Sequence, residues 1–158
     1  MIYLNIWMFN LLVMKTKPLK TKEKVLFLCN QNSARSQMAE GLLKSLYGEN
    51  FEVYSAGSNP GNVNPYAVKV LEEVGVDISS NRSKGLKEFD GFEFDYVVTL
   101  CGGEGEFCPF FHGGKKYLHH PFEDPAAVEG TGPQKIDAFI KIRDEITKWI
   151  KVTFYRGE

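Results

Sequence analysis

Short, almost uninterrupted apolar runs alternate along this chain with segments of helical period, and that alternation restricts the architecture more than any other feature. KVLFLC, from Lys24 to Cys29, suits a strand buried on both faces. FEVYS and DYVVTLC read as a second and a third strand, and KKYLHH as a short fourth. Between them, SQMAEGLLKSLYG sets Met38, Ala39, Leu42, Leu43, Leu46 and Tyr47 at helical spacing and stops at Gly48. NPYAVKVLEEVG offers Asn64 as a cap, Pro65 for the first turn, and Val68, Leu71 and Val74 as a face ending at Gly75. The last segment aligns Ile136, Phe139, Ile140, Ile146, Trp149 and Ile150 as an amphipathic helix. Strands alternating with helices predict an α/β domain over residues 24–158, a four-stranded parallel sheet with helices on both faces.

A chain of 158 residues with 43% hydrophobic content can bury one domain-sized core. Residues 1–23 are read as an extension outside it. Their apolar start, MIYLNIWMFNLLVM, would span only about 21 Å at ~1.5 Å per residue, short of a roughly 30 Å hydrocarbon core. No positive residues precede it and no small-residue cleavage site follows, so it is not read as a signal peptide. A start at Met14, or an extension loosely attached to the fold, is expected, with no membrane crossing. Five lysines, Lys15 to Lys24, lie before or at the first strand and leave residues 25–158 with 14 basic against 19 acidic residues, a charge of -5. An acidic body without a basic stripe argues against nucleic acid as a partner.

In an open parallel sheet, ligands sit beyond the carboxyl ends of the strands. Cys29 closes the first strand, Cys101 the third, and Asp124 follows the fourth, so three reactive groups are expected on one rim. The segment CNQNSAR joins a strand to a helix N-terminus, where backbone N–H groups of Asn30, Gln31, Asn32, Ser33 and Ala34 and the helix dipole can wrap an oxyanion. The same field favours the thiolate, the nucleophilic form of Cys29. Arg35 can hold two anion oxygens with its planar fork. Ser36 can donate to the sulfur, and Asn32 can pin the loop. A cysteine ending a buried strand can also be a plain core residue, but the strand before C-x5-R and the helix after it favour chemistry.

VLFLCNQNSARSQMAEG, VYSAG, VNP, DYVVTLC and DP, in this order, resemble the thioredoxin-coupled arsenate reductases, which share the fold of the low-molecular-weight protein tyrosine phosphatases. Both groups use the C-x5-R loop. The resemblance implies that Cys29 attacks arsenate, that Cys101 attacks Cys29 with release of arsenite, and that Cys108 attacks Cys101, leaving a Cys101–Cys108 disulfide for reduced thioredoxin. Gly102, Gly103 and Gly105 would let the backbone bring these cysteines within the roughly 7 Å between Cα atoms that a disulfide requires. A zinc site from Cys101, Cys108 and two of His112, His119 and His120 is a competing reading, although the gap between the cysteines is wider than zinc pairs use. By the same resemblance Asp124 is the proton donor, with Glu123 a solvated neighbour.

Phosphatase relatives usually follow Asp-Pro with aromatic residues, whereas Ala126 and Ala127 follow here. Many relatives have a cysteine where this chain has Ala34. Some reductases bind potassium through an Asn, a Ser and an Asp; Asn32 and Ser55 match, and Lys84 stands at the acid's position. The sequence therefore predicts a monomeric cytoplasmic enzyme with no bound cofactor or metal, for which phosphate and sulfate are competing oxyanions. Two alternatives are a low-molecular-weight phosphatase and a non-catalytic thiol redox sensor.

Overall fold

The computed structural model describes residues 20–103 and 105–157. The apolar N-terminal run and the expected start at Met14 lie outside the described residues. Strands β1 (Glu23–Cys29), β2 (Phe51–Gly57), β3 (Phe94–Thr99) and β4 (Gly114–His119) form one parallel sheet in the order β2-β1-β3-β4. The apolar run of β1 reflects its central position, because successive side chains point to opposite faces and both are covered. Val25 and Phe27 enter one core cluster, Leu26 and Leu28 the other.

The first face carries α1 (Arg35–Tyr47), α2 (Pro65–Glu72) and α3 (Gly132–Thr153), whose buried hydrophobic side chains join the cluster around Val25 and Phe27. Among the described residues the second face is covered by the 3-10 turn Leu86–Phe89 and by aromatic rings; Phe94 meets Tyr54, Phe89 and Phe111 edge to face. Helices thus lie on both faces of the sheet, but unequally. On the helical face Phe139, Ile142, Ile146 and Ile150 of α3 are buried, each contributing about 1.5–3 kcal/mol relative to exposure. A capping box fixes the start of α3: Gln134 N–H donates to Thr131 Oγ1 and Thr131 N–H to Gln134 Oε1.

Two expected helix faces shift. In α1, Met38, Ala39, Leu42 and Leu43 are buried but Leu46 is 38% exposed, because the last turn runs past the edge of the core. Gly48 keeps a right-handed conformation, and a Cβ there would lie 2.3 Å from the Lys44 carbonyl oxygen. Asn64 caps α2 as expected, accepting from Tyr66 N–H at 2.9 Å. That helix ends at Glu72, and the turn through Gly75 (φ 80°) leaves Val74 exposed, so Ala67, Val70 and Leu71 form the buried face.

From the middle of the sheet the chain leaves β1 toward β2 and β3 toward β4, in opposite directions. The crevice beyond the carboxyl ends of β1 and β3 is therefore the switch point at which such sheets bind ligands. Sheet pairing extends past the end of β3, where Leu100 N–H donates to Leu28 C=O at 2.9 Å. Cys29 and Cys101 follow at once.

Candidate active site

The loop from Cys29 to Arg35 is held by its own buried side chains. Asn32, with a φ of 50°, takes a conformation uncommon outside glycine, and its side chain accounts for it. Nδ2 donates to Ser36 Oγ (2.8 Å) and Ser55 Oγ (2.9 Å), while Oδ1 accepts from Gln37 Nε2 and from Lys84 N–H, both at 2.9 Å. Ser36 Oγ lies 2.8 Å from Cys29 Sγ, close enough to donate to a thiolate. Gly57, paired with Cys29 across the sheet, lets the loop rest on β2: a Cβ there would meet Asn30 O at 2.6 Å and Asn32 N at 2.7 Å. The N-terminus of α1 has no side-chain cap, leaving backbone donors free to turn to an anion.

Cys29, Arg35 and Asp124 share one cavity of about 330 Å³, floored by the loop. Cys29 is a free thiol, 3% exposed. Arg35 donates through Nη1 to the Phe122 carbonyl oxygen at 3.1 Å, and its Nη2 stands 3.8 Å from Asp124 Oδ2. Both of its terminal nitrogens also reach a carboxylate that the sequence does not single out: Nη1 donates to Glu106 Oε2 at 3.0 Å and Nη2 to Oε1. Burial opposes the Arg35 charge, but the Glu106 hydrogen bond together with the nearby Asp124, Cys29 and Glu106 charges outweighs it and raises the pKa above the ordinary value.

Asp124 opens the 3-10 turn Pro125–Ala127, and its Oδ1 accepts from Ala126 N–H at 3.0 Å. Its neighbour Glu123 points away, 83% exposed and 3.7 Å from Lys141 Nζ. Ala126 and Ala127 line the cavity where an aromatic wall would otherwise stand.

Cys101 and Cys108 are joined by a disulfide with Cα atoms 5.6 Å apart. Cys101 has no exposed surface, whereas Cys108 is half-buried. The three histidines are separate: His112 packs on Phe110, His119 Nδ1 lies 2.7 Å from Thr99 Oγ1, and His120 packs against Phe122 and Trp149. Among the described residues no group of three or more His, Cys, Asp or Glu side chains is arranged to hold a metal ion. Nor is any helix among them long and apolar enough to cross a membrane.

Beside the loop, the position expected from the potassium-binding pattern is filled by Lys84, whose Nζ donates to the Arg82 carbonyl oxygen at 3.0 Å. Burial lowers its pKa, partly offset by the charge of Glu40. The Glu40 carboxylate in turn accepts from Ser55 Oγ and Asn81 Nδ2, each at 3.2 Å.

The profile of the low molecular weight phosphotyrosine protein phosphatase family matches residues 24–151. A protein of Halalkalibacterium halodurans named arsenate reductase is 45% identical over 137 residues, which cover 87% of this chain and 99% of that protein. Among solved structures, an arsenate reductase in the phosphate binding state superposes with a TM-score of 0.70 at 32% identity, over 82% of this chain and 95% of the other. A thioredoxin-dependent arsenate reductase from Corynebacterium glutamicum superposes with a TM-score of 0.58 at 33% identity, covering 94% of this chain and 72% of that one.

Proposed function

The chain belongs to the low molecular weight phosphotyrosine protein phosphatase family and to the arsenate reductases within it; from that premise we propose how its own residues reduce arsenate to arsenite. Arg35 and the backbone donors of residues 30–35 bind the oxyanion. The Cys29 thiolate attacks arsenic, an S–As bond forms, and an As–O bond breaks with loss of water, the proton coming from Asp124. Cys101 then attacks Cys29 Sγ: an S–S bond forms, the S–As bond breaks, and its electron pair stays on arsenic, which leaves as arsenite. Cys108 attacks Cys101 Sγ and frees Cys29, so the two electrons delivered to arsenic have come from the Cys101 and Cys108 thiols, which are left joined as a disulfide. A reduced thioredoxin returns them by thiol–disulfide exchange.

The observation that carries this reading is the pairing of the cysteines: Cys101 is bonded to Cys108 while Cys29 is free. That is the distribution the relay reaches at its end. A phosphatase needs no such pair, and the alanines after Asp124-Pro125 offer no aromatic wall to a phosphotyrosine. Reactive thiols need a reducing compartment, which supports the cytosol as the site of action. Every group the scheme uses lies on one chain, in keeping with a monomer. The test is stoichiometric. Reduced protein given arsenate without thioredoxin should release one arsenite for each disulfide formed; arsenite without a disulfide, or a disulfide without arsenite, defeats the scheme.

Asp124→Asn keeps the shape of the side chain but removes the transferable proton. The first chemical step should slow by roughly 10²-fold or more, the range typical of a missing general acid, while phosphate affinity changes less. Rapid-quench single-turnover assays measure it. Glu123→Gln should be nearly silent, and the reverse pattern would reassign the donor.

Lys84 lies beside the loop, its backbone N–H bonded to Asn32 Oδ1 and its ammonium group in the field of Glu40, and we infer that it does what a bound cation would do there. Turnover should accordingly be the same in potassium and sodium salts at equal ionic strength. Activation by potassium alone would overturn this.

A further inference from the structure

We propose that the Glu106 carboxylate is a built-in occupant of the oxyanion site, held there by the Cys101–Cys108 disulfide, so that the oxidised protein is closed to arsenate and phosphate until the disulfide is reduced. The proposal rests on the reading of the Arg35 loop as the substrate site. Glu106 offers two coplanar oxygens to both terminal nitrogens of Arg35, the geometry with which a guanidinium takes two oxygens of a tetrahedral anion. It stands in the same cavity as Cys29 and Asp124, and its side chain is 14% exposed. One edge of a guanidinium cannot serve a carboxylate and an oxyanion together, and the two negative charges would repel.

The loop builds this arrangement from its own backbone. Glu106 N–H donates to the Gly103 carbonyl oxygen at 3.1 Å, closing a turn, and Glu106 Oε2 accepts from Gly102 N–H at 3.1 Å and Gly103 N–H at 3.0 Å. The Arg35 hydrogen bond, followed by the two glycine amides, holds the carboxyl down at about 2 although burial works against it. The group is anionic throughout the physiological range, so pH does not release it. Reduction does. Glu106 lies inside the ring that the disulfide closes between residues seven apart, and the ring removes chain freedom that must otherwise be lost to keep the carboxylate on Arg35. With the ring opened, that cost returns and an external oxyanion competes on better terms.

The closure keeps abundant phosphate from occupying an enzyme that cannot yet turn over. Linkage makes the effect reciprocal: if oxidation weakens oxyanion binding by some factor, bound phosphate favours the dithiol over the disulfide by the same factor.

Calorimetric titration with inorganic phosphate tests this on the full chain, wild type and Glu106→Gln, each in disulfide and dithiol form with thiols counted beforehand. Wild type should bind phosphate on the order of 10-fold or more weakly when oxidised, within the usual span of site-to-site coupling. In Glu106→Gln the oxidised form should recover most of that loss. Equal affinities for both redox forms of wild type, or an oxidised Glu106→Gln as weak as oxidised wild type, overturn the proposal while leaving the substrate site intact. If reduced wild type binds no phosphate, the reading of the substrate site falls and the proposal falls with it.

Discussion

Cys29→Ser is expected to abolish arsenite release and also any hydrolysis of a small aryl phosphate. In the proposed scheme both reactions begin with attack by the same sulfur, and a serine hydroxyl is a far weaker nucleophile than a cysteine sulfur. Removing a nucleophile of this kind costs roughly 10⁴-fold or more in turnover. The surroundings should tolerate the change. Serine is smaller than cysteine, Ser36 Oγ can still bond to it, and the Asn32 network that shapes the loop does not pass through residue 29. Phosphate binding should therefore persist in the reduced variant, which calorimetry can check alongside the arsenite assay. Appreciable turnover with the loop intact would remove Cys29 from the role of nucleophile.

Cys108→Ser should behave differently, releasing about one arsenite per enzyme and then stopping. Cys29 can still attack and Cys101 can still expel arsenite, but the oxidising equivalents are then stranded in a Cys29–Cys101 disulfide. With 3% and 0% exposure these are the two least accessible thiols of the relay, and exchange with a protein dithiol requires a sulfur it can reach. In the proposed scheme hydrolysis of an aryl phosphate needs only Cys29, Arg35 and Asp124, and should continue in the reduced variant. Single-turnover and steady-state measurements run side by side decide the matter. Thioredoxin-driven turnover at the wild-type rate would mean that Cys108 is not the residue that carries the disulfide outward.

Features written into contiguous residues were legible in the sequence. The apolar run of β1, the C-x5-R segment beside it, the Asn64 cap and the parallel sheet all follow from local pattern, and the structure has each of them. The choice of Asp124 over Glu123 rests on resemblance in the sequence, since nothing local distinguishes two adjacent acids, and the structure adds only that Asp124 lines the cavity while Glu123 is exposed. What escaped depends on distant partners. Leu46 and Val74 have the right period, yet one lies past the edge of the core and the other beyond a helix that ends early. Gly57 matters because the residue 30–32 backbone rests on it, and Glu106 because Arg35, 71 positions away, lies across the cavity. An acid between two relay cysteines gives no sign of its partner until the loop is folded.

The hydrogen bond from Leu100 to Leu28 has a mechanical meaning for the two thiol transfers. Up to Cys101 the chain is part of the sheet, and Gly102 beyond it is wedged against Pro121, where a Cβ would come within 2.1 Å. Cys101 thus stands at the boundary between the paired strands and the loop that carries Cys108. The spacing of Cys29 and Cys101 is thereby tied to the pairing of two central strands, whereas Cys108 approaches Cys101 from outside the sheet. Substitutions in the loop that carries Cys108 should therefore alter how the disulfide is presented before they alter the spacing of Cys29 and Cys101.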